Sequence, residues 1–85
     1  DYDEAMAVAN DSVYGLSSSV FTNDVNSMYR FIEDIETGMT HVNSPTTGGE
    51  AHIPFGGIKN TGLGAREQGS TSLDFYTELK VVYID

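Results

Sequence analysis

The sequence predicts a small α/β fold, and two patterns indicate it. Residues 17–22 and 39–43 each hold a short run typical of a β-strand, and an amphipathic helix over residues 24–36 separates them. Two strands joined by a helix in this way form a βαβ unit, with parallel strands and a right-handed crossover. The chain is therefore predicted to hold a parallel βαβ unit, followed by a glycine-rich loop and a terminal β-strand.

Length and charge restrict the class of protein. A chain of 85 residues allows one small domain, and it has no cysteine for a disulfide. Its formal net charge of −9 argues against nucleic acid as a partner, because phosphate binding needs clustered Lys and Arg. No apolar run approaches the roughly 20 residues of a membrane helix, and nothing resembles a signal peptide. We therefore expect a cytoplasmic protein with no membrane partner, and the start at Asp1 suits a fragment or a processed chain.

The chain before the first strand is predicted from composition. Residues 1–10 indicate the end of a helix, because acidic residues open the stretch and alanines recur in it. Residues 10–12 break this helix, and residues 14–16 predict a turn.

The helix over residues 24–36 has a start signal and an apolar face. Thr22 or Asn23 can cap it, and Asp24 lies favourably in its first turn. Gly38 is placed to end it. Apolar side chains recur at spacings of three and four on one face: Val25, Met28, Ile32 and Ile35.

The last third of the chain contains the glycine-rich loop. Residues 44–53 predict an irregular loop, and residues 54–69 concentrate glycines where an unusual backbone path is needed. Pro54 stiffens the chain before Phe55, so this loop presents an aromatic ring to a pocket, or else buries it as an anchor. A short helical turn follows at residues 70–75. Residues 76–84 then alternate in polarity and predict a strand.

Three other kinds of site are weighed against simpler roles. His41, Glu50 and His52 could ligate a metal, but they are divided between a strand and a loop, which favours solvated histidines. The glycines lack the G-x-x-x-x-G-K-[ST] spacing of a phosphate loop. The serines at 17–19 and 70–72 lack the nucleophile-elbow pattern. We therefore predict no catalytic, metal or cofactor-binding residue in the chain.

Four stretches carry a family resemblance. Residues 54–69, with the runs Pro-Phe-Gly-Gly-Ile-Lys-Asn-Thr-Gly and Gly-Ala-Arg-Glu-Gln-Gly, resemble the carboxy-terminal signature of the aldehyde dehydrogenase superfamily. Residues 9–22, 38–43 and 76–80 are similar to further blocks of that family, in the family's order. The resemblance implies a carboxy-terminal fragment of the aldehyde dehydrogenase fold. Residues 1–75 would then end the catalytic domain, and residues 76–85 would form the oligomerisation strand.

The resemblance also implies an activity for the parent enzyme. Aldehyde dehydrogenases oxidise an aldehyde to a carboxylic acid with NAD or NADP. A cysteine thiolate attacks the carbonyl, hydride leaves to the nicotinamide, and water activated by a glutamate releases the acid. In the family these groups lie upstream of the stretch represented here. The fragment alone is therefore expected to be inactive and to bind no cofactor, while the parent is a homo-oligomer.

Five residues match family positions with roles. Phe55 matches the aromatic residue that lines the aldehyde tunnel. Asn43 and Ser44 fall where the family's loop shapes the substrate entrance. Arg66 and Glu78 match two positions that tie the loop and the tail to neighbouring structure.

A second class of function fits the composition. Nine of the 13 acidic residues lie in residues 1–50, where solvation of helix faces is the favoured interpretation, and the alternative class is a free-standing acidic interaction module without catalysis. The length of the intact gene product discriminates between the two classes, because the enzyme requires a much longer chain.

One residue departs from the pattern of many family members. Ala65 adds one residue between Gly64 and Arg66.

Overall fold

The chain contains three helices and four short strands, so the predicted α/β class is confirmed. The computed structural model describes all residues, 1–85. The elements in chain order are α1 (Tyr2–Asn10), β1 (Tyr14–Gly15), β2 (Ser17–Val20), α2 (Val25–Asp34), β3 (Met39–Val42), β4 (Ile58–Lys59) and α3 (Thr71–Tyr76). They form two sheets of two strands each, β1 with β4 and β2 with β3.

The sheet of β2 and β3 holds the middle of the chain together. The two strands are parallel, from the pair Ser17 and Met39 to the pair Val20 and Val42, and α2 lies between them in the sequence. The backbone amide of Asn43 extends the pairing by donating to the carbonyl of Val20 at 2.7 Å. The carboxyl ends of β2 and β3 are thereby fixed relative to each other.

The cap of α2 differs from the prediction. Asp24 is the N-cap, and its carboxylate accepts from the backbone amide and the hydroxyl of Ser27 at 3.0 and 2.6 Å. These hydrogen bonds hold the pKa of Asp24 below its usual value. Thr22 instead accepts from the Asp24 amide through its hydroxyl, at 3.1 Å. The helix ends at Asp34, well before Gly38, because the backbone is already extended at the C-cap.

The buried face of α2 also differs from the predicted face. Phe31 in α2 and Ile35 at its C-cap are buried, at 4% and 9% exposure, and of these two only Ile35 belongs to the predicted face. The predicted members Val25 and Ile32 remain 60% and 50% exposed. A stripe through Phe31 and Ile35 has a spacing of four, and the predicted stripe through Ile32 and Ile35 has a spacing of three, so both fit a helix. Periodicity alone cannot choose between the two stripes, because the choice depends on where the strands lie.

Polar contacts fasten α1 to α2. The Tyr2 hydroxyl donates to the Asp34 carboxylate at 2.8 Å, and the Asn10 side-chain amide donates to the Asp34 carbonyl at 2.8 Å. The Arg30 guanidinium lies 3.1 Å from Asp3 and 3.9 Å from the centre of the Tyr2 ring. Loss of water around the hydroxyl and its hydrogen bond to Asp34 raise the pKa of Tyr2. α1 is thus held through side chains and not through a buried apolar face.

The predicted turn over residues 14–16 is wrong. Tyr14 and Gly15 form β1, which pairs antiparallel with Lys59 and Ile58 of β4. β4 lies inside the glycine-rich loop, where no strand was predicted. Each strand is two residues long, so neither gives a periodic signal, and each exists because the other supplies its hydrogen-bonding partner.

The predicted terminal strand is absent from the chain. Tyr76 is the last residue of α3, and residues 77–85 form neither helix nor strand. No other strand of the chain pairs with this segment, and a strand needs such a partner for its backbone hydrogen bonds. None of the three helices is long and apolar enough to cross a membrane.

Candidate functional site

The glycine-rich loop closes on itself through a backbone bridge. The Phe55 amide donates to the Glu67 carbonyl at 2.7 Å, and the Glu67 amide donates to the Phe55 carbonyl at 2.8 Å. The Gly69 amide continues this contact by donating to the Ala51 carbonyl at 3.0 Å. Residues 55–67 therefore form a loop whose two ends are joined by this bridge, and the bridged pair of Phe55 and Glu67 is called the neck of the loop.

An open cavity of about 290 Å³ lies beside this neck. Its walls come from the glycine-rich loop, from the residue after β1 and from α3. The Phe55 side chain is on the wall and stays partly exposed, at 36%. The lining is mainly apolar, with two polar side chains: Leu16, Phe55, Leu63 and Phe75, together with Thr61 and Glu67. Such a lining suits a small organic ligand with an apolar body.

Arg66 fastens the loop to the start of β3. Its guanidinium donates to the carbonyl of Gly38 at 2.8 Å and also to the carbonyl of Gly56. Its third contact is with the sulfur of Met39, at 3.8 Å. Arg66 is half-buried, and no carboxylate forms an ion pair with it. Its charge is therefore met within this chain by backbone carbonyls.

Two glycines allow close approaches of the backbone, and one of these approaches lies where Arg66 binds. A Cβ atom on Gly38 would lie well inside van der Waals distance of the Gly56 carbonyl oxygen. A Cβ atom on Gly62 would meet the carbonyl oxygen of Gly57 in the same way. Gly62 thereby explains part of the glycine content of the loop, since only glycine permits such an approach.

Lys59 makes a second attachment, which the sequence analysis did not predict. Its ammonium group lies 3.0 Å from the Asn10 carbonyl, 3.1 Å from the Ser12 carbonyl and 3.3 Å from the Glu36 carboxylate. Only four Lys and Arg residues face 13 acidic ones. That composition does not indicate which groups Lys59 contacts.

The predicted substrate residues do not come together. Phe55 lines the cavity, whereas Asn43 and Ser44 follow β3 and are not part of its lining. The Asn43 side-chain oxygen accepts from the Thr22 amide at 2.8 Å, and the Ser44 carbonyl accepts from the Ser19 hydroxyl. Asn43 and Ser44 thus fasten the loop after β3 to the segment after β2.

Two further sets of residues are also separated. Glu78 lies on the exposed tail, and it makes no hydrogen bond or ion pair with Arg66. His41 is half-buried on β3, while Glu50 and His52 are exposed in the loop. No three His, Asp or Glu side chains of the chain lie together as metal ligands would.

The sequence of this chain is similar to those of known proteins. The sequence pattern of the aldehyde dehydrogenase family matches residues 1–82. The chain belongs to the aldehyde dehydrogenase family. An alpha-ketoglutarate semialdehyde dehydrogenase of Haloferax volcanii is 51% identical over 84 residues. Aldehyde dehydrogenase [NAD(P)+] 2 of Saccharomyces cerevisiae is 46% identical over 85 residues.

A solved aldehyde dehydrogenase has the same fold in this region. A salicylaldehyde dehydrogenase from Pseudomonas putida G7, crystallised with salicylaldehyde, superimposes with a TM-score of 0.86 at 50% identity over 94% of this chain. This aldehyde dehydrogenase chain spans 16% of that structure. It likewise spans 17% of the Haloferax relative and 16% of the yeast relative, so it corresponds to about a sixth of each protein.

Proposed function

We propose that this chain is the carboxy-terminal part of an NAD(P)-dependent aldehyde dehydrogenase. In the complete enzyme it would supply one wall of the aldehyde tunnel and a surface for subunit contact. Family membership over residues 1–82 supports the first part of this proposal, since relatives at 51% and 46% identity are named as dehydrogenases of aldehydes. It also favours the enzyme over a free-standing acidic interaction module.

The observation that carries the tunnel role is the position of Phe55. The ring borders an open, mainly apolar cavity, and the backbone that carries it is held on both sides by the bridge to Glu67. An aldehyde with an apolar body would bind there by burial, at about 25 cal/mol per Å² of apolar surface removed from water. A fixed aromatic wall would orient the aldehyde towards a thiolate supplied by another part of the enzyme.

The remaining residues have roles around this wall. Asn43 and Ser44 would shape the approach to the tunnel, since they fix the loop that follows β3. Arg66 would hold the loop to β3, and Glu78 would contact neighbouring structure from the tail. The nicotinamide cofactor and the nucleophile would come from the rest of the enzyme. The chain alone would oxidise nothing, because it has no cysteine to attack the aldehyde.

Substitution of Phe55 in the full-length enzyme tests the tunnel role. Phe55→Ala is expected to change the ratio of kcat/KM between benzaldehyde and acetaldehyde about tenfold, which corresponds to about 1.4 kcal/mol of lost contact. The KM for the nucleotide should stay the same, because the cofactor would bind elsewhere. Steady-state rates of NADH or NADPH formation give kcat/KM for each of the two aldehydes and the KM for the nucleotide.

Phe21→Ala is the matched control, because Phe21 is 69% exposed and lies outside the cavity. It should leave the ratio unchanged. If Phe55→Ala and Phe21→Ala give the same ratio as the wild type, Phe55 is only an anchor for the loop. Absence of aldehyde-dependent nucleotide reduction in the wild-type enzyme would contradict the proposed activity itself.

A further inference from the structure

The ammonium group of Lys59 joins three segments of the chain. It donates to the Asn10 carbonyl at 3.0 Å, to the Ser12 carbonyl at 3.1 Å and to the Glu36 carboxylate at 3.3 Å. An ammonium group has three N–H donors, so these acceptors use all of them. The side chain is only 23% exposed. Lys59 is therefore a fully satisfied cation that is largely removed from water.

Two of its acceptors are backbone carbonyls at and just after the end of α1, and one of them, the Asn10 carbonyl, also accepts from the Ser12 amide at 2.9 Å. Asn10 is the last residue of α1, and the last carbonyls of a helix have no hydrogen bond within the helix. The last turn of α1 contains no basic residue. Lys59 supplies from the glycine-rich loop the positive charge that a helix C-terminus favours.

The backbone of Lys59 is held as firmly as its side chain. Its φ of 53° lies in the left-handed region, which a non-glycine residue keeps only where its surroundings fix it. It pairs with Tyr14 between β4 and β1, and the amide of the next residue, Asn60, donates to the Val13 carbonyl at 2.9 Å. The same residue is thus fastened from two directions.

The fastened segment leads directly into the cavity wall. Thr61 and Gly62 follow β4, and both line the cavity. The Thr61 hydroxyl accepts from the Gly15 amide at 2.9 Å, and Leu16, the next residue, also lines the cavity. Lys59 itself is not part of the lining. The attachments of Lys59 set the position of the wall formed by Thr61 and Gly62 relative to the wall formed by Leu16.

We infer that Lys59 is a positioning residue whose ammonium group holds the glycine-rich loop against the end of α1 and so sets the width of the cavity. This inference rests on the proposed function, since it takes the cavity as the site for the aldehyde. Without the ammonium group, the Ser12 carbonyl loses its donor, the Asn10 carbonyl keeps only the Ser12 amide, and Lys59 is held by its backbone pairing alone. The wall then shifts, and an aldehyde that fills the cavity loses more binding than a small one.

Kinetics of the full-length enzyme test this role. Lys59→Met is expected to raise the KM for benzaldehyde about tenfold, the cost of about one charge-assisted hydrogen bond, with kcat nearly unchanged. The KM for acetaldehyde should change by less than about twofold, because a small ligand makes few contacts with the wall. Lys59→Arg should give an intermediate effect, since a planar guanidinium cannot replace three tetrahedrally placed donors.

Two further variants separate positioning from general stability. Glu36→Gln keeps both carbonyl acceptors and weakens only the third contact, so it should shift the KM for benzaldehyde less than Lys59→Met does. Arg30→Met is the matched control, because it removes a surface cation that also pairs with a carboxylate. Arg30→Met should leave the ratio of the two KM values unchanged. If Lys59→Met does not fold, Lys59→Arg and Glu36→Gln still decide the outcome.

An equal loss of kcat/KM for both aldehydes would show that Lys59 only stabilises the fold, and would overturn the inference. Hydrogen–deuterium exchange gives a readout that does not depend on activity. Lys59→Met should speed exchange of the amides of residues 60–62, and unchanged exchange there would also overturn the positioning role. If the wild-type enzyme oxidises no aldehyde, the proposed function fails, and the exchange experiment still tests the attachment of the loop.

Discussion

The glycine-rich loop and the tail after α3 differ from what their sequence patterns predict, in opposite directions. The loop, residues 54–69, is rich in glycine and poor in apolar periodicity, yet it is held by Arg66, by Lys59 and by the bridge at its neck. The tail, residues 77–85, alternates apolar residues as a strand does, yet it forms no strand and is exposed throughout.

The difference shows that hydrogen-bonding partners, and not the pattern of apolar residues, decide which segment is held against the rest of the chain. The loop supplies few apolar side chains, but its backbone pairs with β1, and its Arg66 and Lys59 side chains donate to the carbonyls of Gly38, just before β3, and Asn10, at the end of α1. The tail supplies many apolar side chains, with Leu79 at 93% and Ile84 at 92% exposure, but nothing in this chain covers them. A regular pattern therefore indicates what a segment could pair with, and only the partner makes it a strand.

The largest expected effect is at the closest approach between the loop and Gly38, the residue before β3. Gly38→Ala should destabilise the chain by about 3 kcal/mol, because the added methyl group would overlap the Gly56 carbonyl and displace Arg66. Urea unfolding followed by circular dichroism gives the free energy. Gly49→Ala is the control, since nothing lies within 4 Å of its Cβ position. Equal stability of the two variants would show that the loop is as loosely held as the tail.

A smaller effect is expected from the cation that fastens the loop. Arg66→Met should cost about 2 kcal/mol of unfolding free energy, because two carbonyls would lose a charged donor. Lys80→Met in the tail removes a cation without any hydrogen bond or ion pair and should cost nothing measurable. The same urea titration compares the two, and a loss at Lys80 as large as that at Arg66 would contradict the contrast between loop and tail.

The smallest effect on stability, and the clearest on association, is expected from the tail. Truncation after Thr77 should leave the unfolding free energy unchanged and abolish self-association, because exposed strand-like segments pair with other chains. Sedimentation equilibrium of the intact and truncated chains measures this. Val82→Pro keeps the length but removes one backbone donor, and should weaken association in the same direction. A monomeric intact chain, or equal association of both, would show that the tail is not the pairing segment.

Much of the site could be located from sequence, but its geometry could not. The glycine density around Phe55 indicated a constrained loop beside a pocket, and the cavity lies there. The partners of Lys59 are 49, 47 and 23 residues away in the chain, so no local pattern points to them. For the same reason, nothing in the sequence separates Asn43 and Ser44 from the cavity that Phe55 lines.

The sequence by itself determined the helices, the positions of β2 and β3, and the family. Helix-forming composition and amphipathic spacing act within a few residues, so they are sufficient to predict where each helix lies, although they did not give the capping residue of α2. The tertiary structure alone decided that α2 buries Phe31 and not Ile32, that Tyr14 and Gly15 form a strand, and that the tail does not. Burial and strand pairing depend on groups distant in sequence, and the free energy of each contact exists only once both partners are in place.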